Sequence, residues 1–151
     1  MGMIYPGITG NRTLREMLRR LRIEDGAEAL AQPSLAEAVQ ATAKWAWTLE
    51  DDQGEFVASM AIMPDGDRRG WLVSYPGARI RSSAELRPLF RLYTIFRDAG
   101  GVYDELRAWV AATDRRAIRF AEWAGFELDC GPATGLSPTG RDMNLMIWRR
   151  L

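Results

Sequence analysis

The side chains that could do chemistry in this 151-residue chain are carboxylates, hydroxyls and tyrosines, because histidine is absent and Cys130 is the single cysteine. Without histidine, the chain cannot form a Ser-His-Asp or Cys-His catalytic arrangement, an imidazole general base or a histidine-ligated metal site. One cysteine cannot build a thiolate cage for a metal ion. We therefore expect no metal site, and any catalysis must rest on the remaining polar groups or on the backbone.

The composition is typical of a single soluble domain that covers residues 1–151. Twenty basic residues balance 20 acidic ones, so general nucleic-acid binding is not expected. No apolar run approaches the roughly 18 residues of a membrane helix. The first residues, "MGMIYPGITGN", lack the basic segment and apolar core of a signal peptide, and one cysteine favours a reducing, cytosolic origin.

The first 44 residues are predicted to form a helical lead. Thr13 with Glu16 makes one capping box, and Ser34 with Glu37 makes a second. Between them, "EDGAEALA" is a weaker helical stretch that stops at Pro33.

From Trp45 onward, the period of apolar residues changes to two and then alternates with helical spacing. A long helix is predicted from about Ser83 to Asp98, ended by Gly100-Gly101, and a second helix is capped by Asp114 and closed by Gly125. Six strands are predicted, namely Trp45–Glu50, Glu55–Met63, "WLVSY", "LRAWVAA", "FELDC" and "DMNLMIWR". This order predicts an α/β (α+β) fold, in which residues 45–151 form one mixed sheet with helices on both faces.

This pattern resembles the Gcn5-related N-acetyltransferase (GNAT) fold over roughly Trp45 to Arg149. The most telling segment is "AIRFAEWAGFE", which is similar to the family's helix that ends in Gly-Phe before the next strand. The glycine permits the left-handed turn that ends a helix, so the motif indicates the fold more strongly than the activity.

The resemblance places the acyl-CoA pyrophosphate loop between the third strand and the long helix. The family's usual form is Gln or Arg, two residues, Gly, one residue, then Gly or Ala. The nearest match runs Arg79, Ile80, Arg81, Ser82, Ser83, Ala84, with Ser82 in place of the glycine. Two interpretations stay open: a degenerate loop in which Arg79, Arg81, Ser82, Ser83 and Ala84 still bind phosphate, or an ordinary helix start with Ser82 and Glu85 as a capping box.

The family often uses a tyrosine in the later helix to protonate the departing CoA thiolate. Aligning Gly125-Phe126 with the family puts Ala121 at that position, and a methyl group cannot donate a proton. Tyr93 or Tyr103 could substitute, although Tyr93 falls on the apolar stripe of its helix. The carboxylates Glu50, Glu55, Asp65 and Asp67 belong to no motif, so no catalytic residue is assigned.

A second resemblance is to small acetyltransferase-like proteins of short-tailed bacteriophages, including the internal virion protein A group. It is carried by "GWLVSYPG", "IRSSAELRPLFRLY" and "TGRDMNLMIWRR". Together with the lost glycine and tyrosine, it implies a non-catalytic or vestigial acetyltransferase-fold protein that needs no cofactor. Such a protein would act in the virion or the host cytoplasm through contacts with other subunits of a phage head or tail.

Two alternatives stay open. One is an acetyl-CoA-dependent N-acetyltransferase that modifies a small-molecule or protein amine, and the other is a CoA-binding or host-directed regulator without turnover. If contacts with protein partners dominate, the expected surface combines the N-terminal helical segment with the Gly131 to Gly140 connection. That connection is rich in Gly, Pro, Ser and Thr, and we expect it to become ordered only against a neighbour.

Overall fold

Seven strands form one sheet in the computed structural model, which describes residues 2–99 and 102–151. The strand order is β1-β2-β3-β4-β5-β7-β6, and every neighbouring pair is antiparallel except β4 with β5. The elements are β1 (Met3–Pro6), α1 (Leu14–Leu18), α2 (Ile23–Ala31), α3 (Pro33–Thr42), β2 (Trp45–Glu50), β3 (Phe56–Pro64), β4 (Arg69–Pro76), a 3-10 helix (Ser83–Leu86), α4 (Arg87–Asp98), β5 (Glu105–Ala111), α5 (Arg115–Trp123), β6 (Glu127–Ala133) and β7 (Met143–Arg149).

Helices cover both faces of this sheet, which confirms the predicted mixed-sheet architecture. On one face, α4 and α5 pack through Leu89, Phe90, Tyr93 and Ala121. On the other face, α1 and α3 bury a second apolar cluster that includes Met17. The sheet therefore separates two cores.

The helical N-terminal segment begins with a strand, which corrects the prediction of helix throughout residues 1–44. Met3–Pro6 pairs antiparallel with β2, with Met3 opposite Glu50. Four residues carry too little periodic signal to indicate a strand, and their pairing depends on a partner more than forty residues away. The expected Ser34–Glu37 capping box is also wrong, because α3 already begins at Pro33 with Gln32 as its N-cap.

The helices on the opposite face follow the prediction more closely. Asp114 caps α5, since its Oδ1 accepts a hydrogen bond from the Ala117 amide at 3.0 Å. Gly125 has φ 94, the left-handed conformation that a glycine adopts without strain. The predicted long helix divides into the 3-10 helix and α4, with Pro88 in the first turn of α4. Its expected end at Gly100-Gly101 lies outside the described residues.

The Gly131 to Gly140 connection is ordered against its own chain, contrary to the expectation that it needs a neighbouring molecule. Ser137 is buried and donates a hydrogen bond from Oγ to Glu28 of α2 at 2.7 Å. The Thr139 hydroxyl also donates to Glu28, and the Arg141 amide donates to Ser137 Oγ at 2.8 Å. The Gly and Pro content of the connection indicated flexibility, and the hydrogen bonds to Glu28 form only once the fold brings α2 beside it.

Within residues 2–99 and 102–151, no helix is both long and apolar enough to cross a membrane.

Candidate active site

The sheet opens between β4 and β5. These parallel strands pair only at their beginnings, where the last register pair joins Trp71 and Arg107. Beyond that pair they separate, and a cavity of about 1300 Å³ occupies the gap and continues onto both faces of the sheet. We call this cavity the central cleft, and the point at Trp71 and Arg107 its apex.

Two different sets of elements line the central cleft. On the α4–α5 side, it is bordered by the 3-10 helix, the start of α4 and α5, including Arg87, Arg116 and Ala121. On the α2–α3 side, it is bordered by α2, α3 and the β6–β7 connection, including Glu28 and Leu136.

The predicted pyrophosphate loop lies at the α4–α5 side. Ser82, Ser83 and Ala84 line the central cleft, whereas Arg79 and Arg81 are exposed and are not among its lining residues. The predicted Ser82–Glu85 capping box is wrong in its first half, because the Ser82 side chain makes no capping hydrogen bond. Glu85 does bend back, but its carboxylate accepts from the Arg81 amide at 3.4 Å.

Serine at position 82 does not distort the loop. Ser82 has φ -149 and ψ 159, which is extended backbone that any residue adopts. The missing glycine therefore does not require a different loop conformation.

Three arginines that the sequence did not single out as a group face the central cleft near this loop, namely Arg87, Arg116 and Arg119. Arg116 Nη2 donates to the Arg81 carbonyl oxygen at 3.3 Å. In the described part of the chain, none of the three lies within ion-pair distance of a carboxylate. Their positive charges are available to an anion. Arg116 and Arg119 lie three residues apart on α5, and this spacing could have shown from the sequence that they share one helix face.

Ala121 lines the central cleft where the family comparison expected a tyrosine, and it is buried. Neither candidate substitute reaches the cleft lining. Tyr93 is fully buried, its hydroxyl donates to the Ala124 carbonyl at 3.2 Å, and burial raises its pKa to about 12. Tyr103 is also buried and lies outside the lining.

The unassigned carboxylates also lie elsewhere. Glu50 forms an ion pair with Arg12, and Asp65 accepts from Trp71 Nε1 at 2.9 Å. Glu55 and Asp67 are likewise outside the lining of the central cleft.

Two buried hydroxyls line the central cleft without a hydrogen-bond partner among the described residues, Ser59 Oγ and Tyr75 Oη. They are cross-strand neighbours, since Ser59 of β3 lies opposite Tyr75 of β4. Burial raises the pKa of Tyr75 to about 12, so this phenol stays protonated at neutral pH. This pair had no signature in the sequence, because the cross-strand register that brings Ser59 opposite Tyr75 is not a local feature.

The arginines that line the α2–α3 side form ion pairs with carboxylates there. Arg22 binds Asp25 at 2.8 Å and Asp114 at 2.6 Å, and Arg141 lies 3.6 Å from Glu28. Burial raises the pKa of Asp25 even though Arg22 opposes that shift. Burial alone would raise the pKa of Asp114, but the Ala117 amide and Arg22 outweigh it and hold that pKa below its ordinary value.

Solved structures share this architecture over nearly the whole chain. An acetyltransferase from Streptococcus agalactiae superposes with a TM-score of 0.71 at 15% identity, covering 99% of this chain and 98% of that one. The chain has the GNAT fold. A GNAT family acetyltransferase from Elizabethkingia anophelis with acetyl-CoA bound gives a TM-score of 0.65 at 13% identity, covering 99% and 98% of the two chains. A Bacillus subtilis acetyltransferase in complex with CoA gives 0.67 at 11% identity over 100% of both.

No protein-family model matches the sequence, and no curated protein matches it significantly.

The GNAT neighbours correct the functional prediction made from the sequence. A non-catalytic or vestigial protein of the phage virion was expected, yet these structural neighbours are acetyltransferases, and similarity to a phage internal virion protein is not shown. The prediction was wrong because it combined a loose resemblance to phage proteins with two local departures, at Ser82 and Ala121. Neither departure closes the central cleft, which both residues line.

Proposed function

We propose that the chain is an acetyl-CoA-dependent N-acetyltransferase acting on a primary amine. The observation that carries this proposal is the separation of β4 from β5 beyond Trp71 and Arg107, which opens the central cleft through the sheet. A cleft that reaches both faces lets an acyl donor and an amine meet from opposite sides.

The edge of β4 suits the amide-containing arm of acetyl-CoA. Asp65 and Gly77 mark the hydrogen-bonded pairs between β3 and β4, with amide-to-carbonyl distances of 2.8 Å to Arg69 and Val57. Because that pattern alternates, Ser74 directs its backbone N–H and C=O away from β3, towards the central cleft. A strand edge with free backbone groups accepts an extended ligand as it would accept another strand.

The arginines on the α4–α5 side suit the phosphates of acetyl-CoA. Arg87, Arg116 and Arg119 have no carboxylate partner in the described chain, and arginine binds phosphate oxygens through paired N–H donors. Ser82 and Ser83 would contribute hydroxyl groups and Ala84 its backbone amide beside them, and Arg79 and Arg81 would add to the positive field. Arginine charge would thus replace part of what the family's glycine loop provides through backbone amides.

When bound, acetyl-CoA supplies a thioester: the amine nitrogen forms a bond to its carbonyl carbon, the C–S bond breaks, and the proton lost by nitrogen balances the one gained by sulfur. The chain must hold the two reactants together and exclude most water. Ala121 cannot donate the proton, so we assign that transfer to solvent entering the central cleft.

Turnover tests this function directly. Mixed with acetyl-CoA and a panel of primary amines, the protein should release free thiol and form an acetylated amine of the expected mass. Arg116→Ala should weaken acetyl-CoA binding, whereas Arg115→Ala should not, because Arg115 is exposed and outside the cleft lining. Binding without turnover across the panel would favour a CoA-binding regulator instead.

A further inference from the structure

Two stacked tryptophans stand at the apex of the central cleft, on its α2–α3 side. The rings of Trp71 and Trp109 are 6.0 Å apart between centroids, with an angle of 17° between their planes. Trp71 belongs to the last paired position of β4, and Trp109 lies two residues beyond Arg107 on β5. Trp109 is 43% exposed, so a large aromatic face is open beside the point where the strands part.

The walls next to this indole pair are apolar. Met63 lies opposite Trp71 on β3, and the lining continues through Leu35, Leu136 and Met143. Exposed tryptophan beside an apolar wall is costly in water and is characteristic of binding sites. We call this part of the central cleft the aromatic chamber.

The charges around the aromatic chamber are largely neutralised. Glu28 and Asp25 each have an arginine partner, Arg141 and Arg22 respectively, and Asp114 shares Arg22. Among the cleft-lining groups of this side, three carboxylates face two arginines, so one carboxylate remains in excess, which suits a ligand with a single positive charge. Asp65, outside the lining, accepts from the Trp71 indole N–H. A polyamine, with several charges, would need several unpaired carboxylates.

The two unpartnered hydroxyls lie on the same face of the sheet as the indoles. Trp71 and Tyr75 are four residues apart on β4, which is about 13 Å along a strand. Ser59 lies opposite Tyr75. A buried hydroxyl without a partner destabilises the protein, and a polar group of a ligand could satisfy it. A ligand that spans both features needs a flat apolar end and a hydrogen-bonding end.

We propose that the acceptor is a small primary amine that carries one aromatic ring, with the ring stacked on Trp109. Arginine charge occupies the α4–α5 side, so the acyl donor belongs there and the α2–α3 side is left to the acceptor. The Tyr75 and Ser59 hydroxyls can form hydrogen bonds to a polar substituent of an acceptor that is long enough to span their separation from the indole pair. This inference rests on the proposed acetyltransferase function, and it names the acceptor of that site.

The test compares tryptamine and phenylethylamine with spermidine and a lysine-containing peptide as acceptors. The aromatic amines should have the highest kcat/KM. Trp109→Ala should raise KM for tryptamine about tenfold, equivalent to about 1.4 kcal/mol, and leave the Kd for acetyl-CoA unchanged. Trp109→Phe should restore most of the loss. Leu128→Ala, an exposed apolar side chain outside the cleft lining, is the matched control and should change neither constant.

Direct binding separates failure of this inference from failure of the proposed function. Calorimetric titration of tryptamine, without acetyl-CoA, should show binding that Trp109→Ala weakens. Preferred acetylation of spermidine or the peptide, or tryptamine binding insensitive to Trp109→Ala, would overturn the aromatic acceptor while leaving acetyl transfer intact. Absence of both tryptamine binding and acetylation of aromatic amines would overturn it as well.

Discussion

The two sides of the central cleft differ in how they use arginine. On the α4–α5 side, Arg87, Arg116 and Arg119 have no carboxylate partner in the described chain. On the α2–α3 side, Arg22 and Arg141 are engaged by carboxylates. The net composition of the chain, 20 basic against 20 acidic residues, conceals this division. The α4–α5 side therefore carries positive charge without a carboxylate partner, and the α2–α3 side carries little net charge.

The difference is possible because strand alternation separates the two sides. Trp71 and Tyr75 project from one face of β4, and Leu72 and Ser74 occupy the alternate positions. A single split between two strands therefore presents two chemically distinct walls.

The largest effect is expected from reversing charge on the α4–α5 side. Arg87→Glu with Arg116→Glu should weaken acetyl-CoA binding at least about hundredfold, because two attractions to phosphate become repulsions. Binding of an aromatic amine should be unchanged. The matched control is Arg91→Glu with Arg115→Glu, which alters the same helices outside the central cleft. An equal loss in the control would show that the effect is only net charge.

On the α2–α3 side, removing Arg22, which two carboxylates share, should lower the stability of the fold. Arg22→Met leaves Asp25 and Asp114 without their partner, and the free energy of unfolding should fall by about 2 kcal/mol. The pKa of Asp114 should rise towards its ordinary value, measured by NMR titration. Since Asp114 stabilises the fold in its charged form, the variant should lose less stability than wild type as pH falls through the acid range. An unshifted Asp114 pKa would contradict the ion pair.

Tyr93 and Tyr75 differ in whether the hydroxyl group has a hydrogen-bond partner among the described residues. Tyr93→Phe removes a hydrogen bond to Ala124 and should cost about 1 kcal/mol in urea unfolding. Tyr75→Phe removes a hydroxyl without a partner and should be neutral or stabilising. A large loss for Tyr75→Phe would mean that its hydroxyl is already satisfied.

Alkaline pH tests the burial of both rings. The pKa values of Tyr75 and Tyr93 are raised to about 12, above the ordinary value of 10. Their contribution to stability is therefore complete below pH 10 and is lost as pH rises towards 12. Each phenylalanine variant should reduce this alkaline loss of stability, measured as Tm against pH. Unchanged alkaline profiles would show that the rings are accessible.

The smallest difference in stability is expected between the N-caps of α1 and of the 3-10 helix, which lie on opposite faces of the sheet. Thr13→Ala should cost about 1 kcal/mol, because Thr13 Oγ1 accepts from the Glu16 amide at 3.2 Å. Ser82→Ala should change stability by less than about 0.5 kcal/mol, because its hydroxyl makes no such bond. Comparable losses in urea unfolding would restore the capping box predicted from sequence.

The sequence predicted the parts of the fold whose signals are local. The alternating strands from Trp45 onward, the Asp114 cap and the Gly125 turn each depend on a few neighbouring residues. The N-cap at Thr13 was predicted for the same reason, although the Glu16 carboxylate accepts from the Thr13 hydroxyl and not from the Thr13 amide that a full capping box would use. These features are confirmed.

What the sequence did not predict depends on contacts between distant segments. The short β1 strand exists because β2 pairs with it, and the connection at Ser137 is ordered because Glu28 lies beneath it. The separation of β4 from β5 has no local signature, although "WLVSY" and "LRAWVAA" already placed Trp71, Tyr75 and Trp109 on alternating positions. The strand pattern could have indicated that these aromatic side chains share a sheet face, but not that this face lies at the separation of β4 from β5.

Calorimetric titration of the wild-type protein with acetyl-CoA tests whether the cleft between β4 and β5 holds this acyl donor. We expect one site per chain, with a Kd on the order of micromolar to sub-millimolar, as is usual for enzyme substrates. No measurable binding at millimolar acetyl-CoA would contradict it.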